Sequence, residues 1–560
     1  MTATLVLDSA SDAGHPERNA PSAATGERRF EHLLLGTAVA LGVLVRLLPV
    51  LRFDFPLNDG GLFYQMALEL QRAGYAIPDV TSYNGDHIPF AYAPLGFYVA
   101  ALLGRTPEGV LAAVRWIPVI VTILGIPAFV LLARRLLPNQ RTVIAATFAY
   151  ALLPRAFIWT IMGGGLTRSF GMLFTVLALW QAHLLYTTRA RRHAFATAVF
   201  ASLTVLSHIG TAPFLAASIA LMWVAYGRHR HGILASLAVA ALTLMLTAPW
   251  WGVVVAEHGM APFRAAQASG GSVLSGSTAR WAVRLALAKL TLGITGEPLF
   301  PLILVGGLVG ALVELTRRRW LLPAWWLLIV LAELRAPGTY AAIPIAMLAG
   351  VAIAEALTPL LRYWRERGAG SRPRSFSFAG ATGSRWSTGV LAGLVVYATF
   401  AALMRTPSIP SELSYLGSLD GGDRAAMRWV ATATPAQSRV LVITGATWSN
   451  DRVAEWFPVL AQRRSVATVQ GSEWLPGGEF TRRLEASEVL SGCASRDVAC
   501  VEQWAASTGK PFTHLYVTKT MGKKGLPGTD CCTAVIASAQ SDPRYRRIYD
   551  GPGAAIFERR

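Results

Sequence analysis

Long apolar runs separated by short, arginine-rich loops extend from about residue 32 to residue 404. Runs of roughly 17–22 residues are long enough to cross the hydrocarbon core of a bilayer, and the pattern predicts about eleven membrane-spanning helices. The predicted spans are 32–51, 111–133, 142–158, 170–187, 194–207, 212–226, 232–250, 298–315, 320–333, 340–360 and 388–404. Residues 94–104 are apolar but too short to cross, so we interpret them as a re-entrant or interfacial helix.

The pattern changes at about Arg405. Residues 406–560 lose the long apolar runs and alternate between strand and helix signals, which predicts an α/β domain with its own core. The predicted elements are strands at 439–444, 514–519 and 554–559 and a helix near Asp451–Leu460. We therefore divide the chain into a disordered N-terminus (1–29), a transmembrane domain (30–405) containing a flexible basic linker (362–387), and the α/β domain.

Composition supports a polytopic α-helical membrane protein, because 53% of the residues are apolar and only 15% are charged. The net charge of +19 raises the question of nucleic acid. The basic residues lie in alternate short loops, however, which indicates membrane orientation, and we predict no nucleic-acid partner. The positive-inside rule places the protein in the plasma (inner) membrane with a cytoplasmic N-terminus and linker and an extracytoplasmic α/β domain.

All four cysteines lie in the predicted extracytoplasmic domain: Cys493, Cys500, Cys531 and Cys532. An even number in an oxidising compartment predicts two disulfides. The local pair Cys493–Cys500 is slightly favoured. A bond between the adjacent Cys531 and Cys532 would be strained, so crossed pairings such as Cys493–Cys531 with Cys500–Cys532 stay open. The spacings match no common zinc pattern.

The first predicted outer loop concentrates acidic residues directly after the first span. It carries Asp54, Asp59, Glu69, Asp79, Asp86 and His87 among aromatic residues and prolines. Carboxylates at the mouth of a membrane helix are costly, which points to a functional site at the membrane surface. The alternative for Asp59 is a helix cap, because its neighbours Gly60 and Gly61 also suit a capping turn.

The other predicted outer loops add cations and imidazoles. The second loop contains Arg155, three glycines at 163–165 that allow close backbone approach, and Arg168. The third contains His208, the fourth contains Glu257 and His258 before a Gly/Ser-rich stretch, and the fifth contains Arg335. The acidic residues thus lie in the first loop and the arginines in the second and fifth loops. This arrangement suits an acid or base on one side of the site and an anionic lipid phosphate on the other. The alternative for each arginine is snorkelling to lipid headgroups.

These segments, in this order, resemble the GT-C superfamily of membrane glycosyltransferases. The similar segments are NDGGLFYQMALEL (58–70), IPFAYAPLGFY (88–98), LPRAFIWTIMGGGLTR (153–168) and LRAPGTYAAIPIAMLAG (334–350). The resemblance implies inverting transfer of a sugar from a polyprenyl-phosphate-linked donor to a glycan, lipid or protein acceptor at the outer membrane face, with membrane lipids as further partners.

By position, Asp59 would be the general base, and Arg168 and Arg335 would hold the donor phosphate. Glu257 is the reserve candidate for the base, because it is another outer-face carboxylate at the end of a span. The further substrate-binding candidates are Tyr64, His87, His208 and His258.

The chain departs from the metal-using members of the superfamily, because glycines 163–165 stand where those members carry an acidic pair. No cofactor is therefore predicted with certainty, and a divalent metal is an alternative that is not favoured. Two other classes of function stay open. A transporter or lipid flippase would need polar residues within its spans and internal repeats, and a non-catalytic assembly protein would bind glycan through its α/β domain.

Overall fold

The computed structural model describes residues 20–269, 293–332, 337–368, 385–406, 416–520 and 531–560. Its N-terminal part is a bundle of helices, interrupted near the start by a two-stranded hairpin of β1 (Val80–Thr81) and β2 (Ile88–Pro89). The helices are α1 (Ala20–Arg52), α2 (Gly61–Arg72), α3 (Leu95–Leu103), α4 (Pro107–Leu136), α5 (Gln140–Leu152), α6 (Ile158–Ile161), α7 (Gly165–Thr188), α8 (Arg191–Ser207), α9 (Ala212–Tyr226), α10 (Arg230–His258), α11 (Ala261–Ser269), α12 (Leu302–Thr316), α13 (Leu321–Ala332), α14 (Pro337–Ala352), α15 (Thr358–Gly368) and α16 (Arg385–Arg405).

Each predicted span corresponds to a helix, but the number that can cross a bilayer is not confirmed as eleven. Among the described residues, six helices are long and apolar enough, or seven if the bent pair 140–152 and 154–161 forms one span. The helices over 302–316, 321–331 and 389–405 are apolar but shorter. Large apolar side chains such as Leu234, Leu237 and Met245 are exposed on α10, as expected for a surface that faces lipid. The protein is an integral membrane protein with a mostly helical fold.

Two helices extend into segments that the sequence predicted to be disordered or flexible. Helix α1 begins at Ala20, so residues 20–29 extend the apolar helix, and extending an existing helix needs no new nucleation. Helix α15 runs to Gly368 and α16 starts at Arg385, so both ends of the predicted linker are helical. Residues 1–19 and 369–384 lie outside the described residues.

The stretch 94–104 forms the nine-residue helix α3, which at about 1.5 Å per residue is too short to span a bilayer. Its residues Phe97, Ala100 and Ala101 are buried in a core shared with α2 and α4. That burial against neighbouring helices explains its apolar composition. Its position relative to a membrane interface stays a prediction.

A buried arginine supports the point where α5 ends. Arg46 of α1 donates hydrogen bonds to the carbonyl oxygens of Gly42 and Ala151, at 2.9 and 2.7 Å, and its guanidinium lies 4.5 Å from the ring of Phe157. Carbonyl groups at the C-terminal end of a helix lack partners within the helix, and a cation satisfies them well. Pro154 follows at once, and the chain bends by 78° into α6.

The C-terminal region, residues 416–560, is an α/β structure. It contains α17 (Gly421–Ala433), β3 (Arg439–Ile443), α18 (Arg452–Leu460), β4 (Arg464–Ser465), α19 (Glu479–Cys493), α20 (Val498–Thr508), β5 (His514–Thr518), α21 (Thr533–Ser541), β6 (Tyr545–Asp550) and β7 (Ala554–Arg559). The sheet order is β4-β3-β5-β7-β6. Strands β4, β3 and β5 are parallel to one another, and β7 pairs antiparallel with both β5 and β6. The three strands and the helix expected from the sequence are present, whereas the short strand β4 and the polar strand β6 were not predicted.

Both disulfides lie in this region. The structure pairs Cys493 with Cys500 and Cys531 with Cys532. The pairing favoured from the sequence is therefore present. The second disulfide is the adjacent bond that the sequence argument disfavoured, and not a crossed pairing. The first bond joins the end of α19 to the first turn of α20, where both sulfurs are part of the apolar core on one face of the sheet.

The C-terminal region packs directly on the loop that joins α1 to α2, here called the first loop (residues 53–60). Two hydrogen bonds join Asn58 to Gly417. The backbone N–H of Asn58 donates to the Gly417 carbonyl at 2.6 Å, and the side-chain oxygen of Asn58 accepts from the Gly417 N–H at 2.8 Å. The indole N–H of Trp456 donates to the Asn58 carbonyl at 3.2 Å. These contacts hold the first loop from the side of the C-terminal region.

Candidate active site

Asp59 lies at the point where the first loop enters α2. One carboxylate oxygen accepts a hydrogen bond from the Gly164 N–H at 2.6 Å, and the other accepts from the Arg168 guanidinium at 3.1 Å. The Asp59 side chain is 35% exposed, whereas that of Arg168 is 15% exposed. Both oxygens thus have charge-stabilising donors, and about a third of the side chain still faces solvent, where a substrate could reach it.

The second loop (residues 153–164) comes close enough to Asp59 because it carries glycines. A Cβ atom on Gly163 would lie 1.8 Å from the Asp59 carbonyl oxygen, and one on Gly164 would lie 2.3 Å from the Asp59 Oδ2 atom. The Gly163 N–H also donates to the Leu57 carbonyl at 2.9 Å. A larger side chain at Gly163 would push the two loops apart, and one at Gly164 would displace the Asp59 carboxylate. The glycines thus allow the second loop to approach Asp59, and their approach to a ligand stays a prediction.

Arg168 lies in the first turn of α7 and not in a loop as expected, because α7 already begins at Gly165. The sequence placed the cation across from the carboxylate, whereas the structure joins Arg168 and Asp59 in an ion pair. The guanidinium stacks on Trp159 at 4.6 Å from the ring centre. Stacking on one face and a carboxylate at one edge fix the plane of the guanidinium.

An aromatic and polar chain continues from Trp159 towards α14. His208 meets Trp159 edge to face at 6.1 Å, and its Nδ1 atom lies 2.8 Å from the Thr211 hydroxyl. That hydroxyl is 3.1 Å from the Tyr340 hydroxyl in α14. The ring of Trp159 therefore lies between His208 and the Asp59–Arg168 pair and contacts both His208 and Arg168. Arg335, which precedes α14, lies outside the described residues, and its role stays a prediction.

Three of the other acidic residues near Asp59 are engaged in structural contacts. Both carboxylate oxygens of Asp54 accept from Arg424 of α17, at 2.8 and 2.9 Å, and this bond lowers the pKa of Asp54. Asp86 accepts from Arg483 at 2.6 Å and from Arg464 at 3.2 Å. Glu69 accepts from the Ser82 hydroxyl at 2.6 Å. These contacts tie the first loop and the β1–β2 hairpin to neighbouring elements, whereas Asp59 bonds to the second loop and to α7.

Glu455 was not identified from the sequence, although it lies close to Asp59. It belongs to α18 of the C-terminal region, and its Oε1 atom accepts from the Leu62 N–H at 3.1 Å. Burial, followed by the nearby negative charge of Asp59, raises the pKa of Glu455 to about 8. No local motif marks this glutamate, because 393 residues separate it from its partner. Only the docking of α18 on α2 brings the two together.

Glu257 and His258 are in the last turn of α10, and not in a loop as the sequence suggested, because α10 continues to His258. The His258 Nε2 atom lies 2.9 Å from the Asp79 carboxylate. One donor atom from each of Asp79, Glu257 and His258 lies within 4.8 Å of the others, and within the described part of the chain this is the group that could hold a metal ion. Two carboxylates and an imidazole are ligands that Zn²⁺ accepts. Asp59 is not a member of this group.

Tyr64 and His87 are the two remaining candidates. Tyr64 packs at 6.0 Å from the ring of Trp456, and burial raises its pKa. His87 is exposed and lines a cleft of about 490 Å³ with Glu69, Arg72 and Ser82. The structure therefore places Tyr64 at the contact with the C-terminal region and His87 on an open surface.

No family model and no curated protein matches the sequence. Solved structures do match the fold over most of the chain. One is the Archaeoglobus fulgidus oligosaccharyltransferase AglB in complex with an inhibitory peptide and a dolichol-phosphate, with 14% identity and a TM-score of 0.57 over 88% of this chain and 70% of that chain. A second is ArnT from Cupriavidus metallidurans bound to undecaprenyl phosphate, with 14% identity and a TM-score of 0.53 over 94% of this chain and 97% of that chain.

A third match is the arabinofuranosyltransferase AftD from Mycobacteria, with 14% identity and a TM-score of 0.53. It covers 94% of this chain and 39% of that chain. The fold is that of the GT-C glycosyltransferases. The resemblance noted from the sequence is confirmed at the level of the GT-C fold, and the neighbours that carry this fold are membrane glycosyltransferases. At this identity the likeness is one of fold, and the chemistry of this chain has to be argued from its own residues.

Proposed function

We propose that the protein is a membrane glycosyltransferase that moves a sugar from a polyprenyl-phosphate-linked donor to a glycan, lipid or protein acceptor. The observation that carries the proposal is the Asp59 carboxylate, fixed by Gly164 and Arg168 yet partly exposed, within a GT-C fold. A general base needs a carboxylate that an acceptor hydroxyl can reach, and the partial exposure of Asp59 supports this role.

In this mechanism Asp59 takes the proton of the acceptor hydroxyl, and the oxygen attacks the anomeric carbon opposite the leaving phosphate. The configuration at that carbon is inverted. Arg168, with Arg335 as a further cation, stabilises the negative charge on the phosphate.

The proposed reaction takes place at the outer face of the plasma membrane. Its support is the alternation of basic loops, together with the contact between the first loop and the C-terminal region, which puts Asp59 and residues 416–560 on one side. A single cysteine introduced at exposed Glu488 of a cysteine-free variant should react with a membrane-impermeant maleimide in intact cells. Labelling only after the cells are lysed would place the site on the cytoplasmic side.

The test of the chemistry uses the full chain in nanodiscs, a panel of undecaprenyl-phosphate-linked sugars and extracts of envelope glycans and lipids as acceptors. Release of undecaprenyl phosphate is followed by mass spectrometry. Asp59→Asn is nearly isosteric but not basic, so it should fold normally and lower transfer by roughly 10²-fold or more. Arg335→Ala should mainly weaken donor binding.

Glu257→Gln is the matched comparison, because it removes an exposed carboxylate that belongs to the group of Asp79, Glu257 and His258 and not to the Asp59–Arg168 pair. If Asp59→Asn stayed active and Glu257→Gln did not, the role of the base would pass to Glu257. If both variants kept wild-type rates, the proposed mechanism would be wrong.

A further inference from the structure

Helix α2 starts without a cap of its own. Its N-cap residue is Gly60, which has φ +127° and no side chain to accept a hydrogen bond. The first N–H groups of a helix have no partners within the helix and need acceptors from elsewhere. Glu455 supplies one, because its Oε1 atom accepts from the Leu62 N–H at 3.1 Å. It also receives a backbone hydrogen bond from Gly60.

The backbone around Glu455 is held as firmly as its side chain. The Tyr83 hydroxyl donates to the Glu455 carbonyl at 2.6 Å, and a Cβ atom on Gly61 would lie 2.6 Å from that same carbonyl oxygen. The next residue, Trp456, donates to the Asn58 carbonyl. The start of α18 therefore touches residues on both sides of Asp59 in the sequence.

Burial of the Glu455 carboxyl group costs folding free energy. The residue is 4% exposed, and its Oε2 atom is buried without a hydrogen-bond partner among the described residues. The acidic groups that face it are Asp59 and Glu473, together with the Tyr83 hydroxyl. A buried, half-satisfied carboxyl group beside other acids costs free energy, and a glutamine or an apolar residue would pack there at lower cost. Such a group points to a role beyond packing.

We propose that Glu455 is a positioning residue of the active site, which caps α2 from the C-terminal region and thereby fixes the Asp59 carboxylate against Gly164 and Arg168. The inference rests on the proposed function for its catalytic consequence. Asp59, Gly60, Gly61 and Leu62 are consecutive, so a bond that fixes the Leu62 amide also fixes the turn that aims Asp59. Docking of the C-terminal region then completes the site, since it supplies the acceptor that the first loop lacks.

The structural effect can be measured without any sugar transfer. Hydrogen exchange at residue resolution, on the full chain in nanodiscs, reports the amides of Leu62 and Gly164. The Leu62 N–H bonds to Glu455, whereas the Gly164 N–H bonds to Asp59. Glu455→Ala should speed exchange at Leu62 by roughly 2- to 30-fold, which is the range for loss of a helix cap. Exchange at Gly164 should also rise, because Asp59 loses its fixed position.

Three further variants separate positioning from packing. Glu455→Gln keeps an oxygen acceptor and should restore both amides towards their wild-type rates. Glu455→Asp, too short to reach Leu62, should behave like the alanine variant, and it answers the question if Glu455→Ala fails to fold. Glu488→Gln removes an exposed carboxylate from α19 and should match the wild type at both amides.

In the transfer assay, Glu455→Ala should lower kcat by about tenfold or more with little change in KM, because the base is misaimed while the donor still binds. Faster exchange at Leu62 with an unchanged Gly164 would reduce Glu455 to a structural cap and overturn the inference. Unchanged exchange at both amides would overturn it as well. Absence of transfer in the wild-type protein would instead refute the proposed function, and the exchange at Gly164 would still decide whether Glu455 positions Asp59.

Discussion

Gly164→Ala tests the geometry of the site with a single methyl group. Gly164 has φ −63° and ψ −14°, a helical conformation that alanine adopts without strain. The added Cβ would lie 2.3 Å from Asp59 Oδ2 and 2.4 Å from Arg168 Nη2, whereas ordinary contact starts at 3.4 Å. Each side chain would have to retreat by about 1 Å, as the difference between these distances gives. The ion pair and the Gly164 hydrogen bond cannot both survive that movement.

The effect on folding should be modest, because the atoms that must move are the ends of two side chains. Overpacking of this kind costs about 1–3 kcal/mol. The effect on transfer should be larger, roughly 10²-fold in kcat/KM, because a displacement of about 1 Å of a catalytic group has consequences of that size. Gly164→Ala should therefore give a membrane protein with a near-normal thermal midpoint and very low activity.

Two other glycines provide the comparison. Gly252→Ala places a methyl group in open space on α10 and should keep wild-type activity and stability. Gly163→Ala places its methyl group 1.8 Å from the Asp59 carbonyl oxygen, so backbone must move, and we expect a clear loss of stability. Transfer rates and thermal unfolding would be measured for all three in the same nanodiscs. Wild-type transfer by a folded Gly164→Ala variant would refute the argument that the Asp59–Arg168 geometry is needed.

The remaining predictions concern stability. Burial raises the pKa of Glu455 to about 8 in the folded protein, so the protein should lose stability as the pH rises from the ordinary pKa of this group through about 8. Thermal midpoints measured from pH 5 to pH 9 should therefore fall more steeply for the wild type than for Glu455→Gln, and parallel curves would contradict this. The Cys493–Cys500 disulfide closes a loop with a sequence separation of 7, so the double variant Cys493→Ser/Cys500→Ser should lose about 2–3 kcal/mol of unfolding free energy. Denaturant titration checks this value, and a loss below about 0.5 kcal/mol would show that the bond does not restrict the unfolded chain.

The sequence by itself determined the class of the protein and the position of nearly every long helix. Apolar runs are local signals, since hydrocarbon requires each span to satisfy its own backbone and to present apolar side chains. The same applies to the buried strands β3, β5 and β7, whose apolar runs mark them without reference to their neighbours. The short strand β4 and the polar strand β6 lack such runs, and their pairing depends on strands elsewhere in the chain.

The candidate site likewise contains residues that the sequence identified and contacts that only the tertiary structure shows. Asp59 and Arg168 could be selected from the sequence, because a carboxylate beside a membrane span and an arginine after three glycines are unusual there. Their ion pair could not be predicted, since it depends on the bend at Pro154 and on the absence of side chains at positions 163 and 164. Glu455 could not be identified from the sequence either, because a single glutamate in an amphipathic helix has no local signature. It becomes part of the site only because tertiary packing places α18 against an uncapped helix in a distant part of the chain.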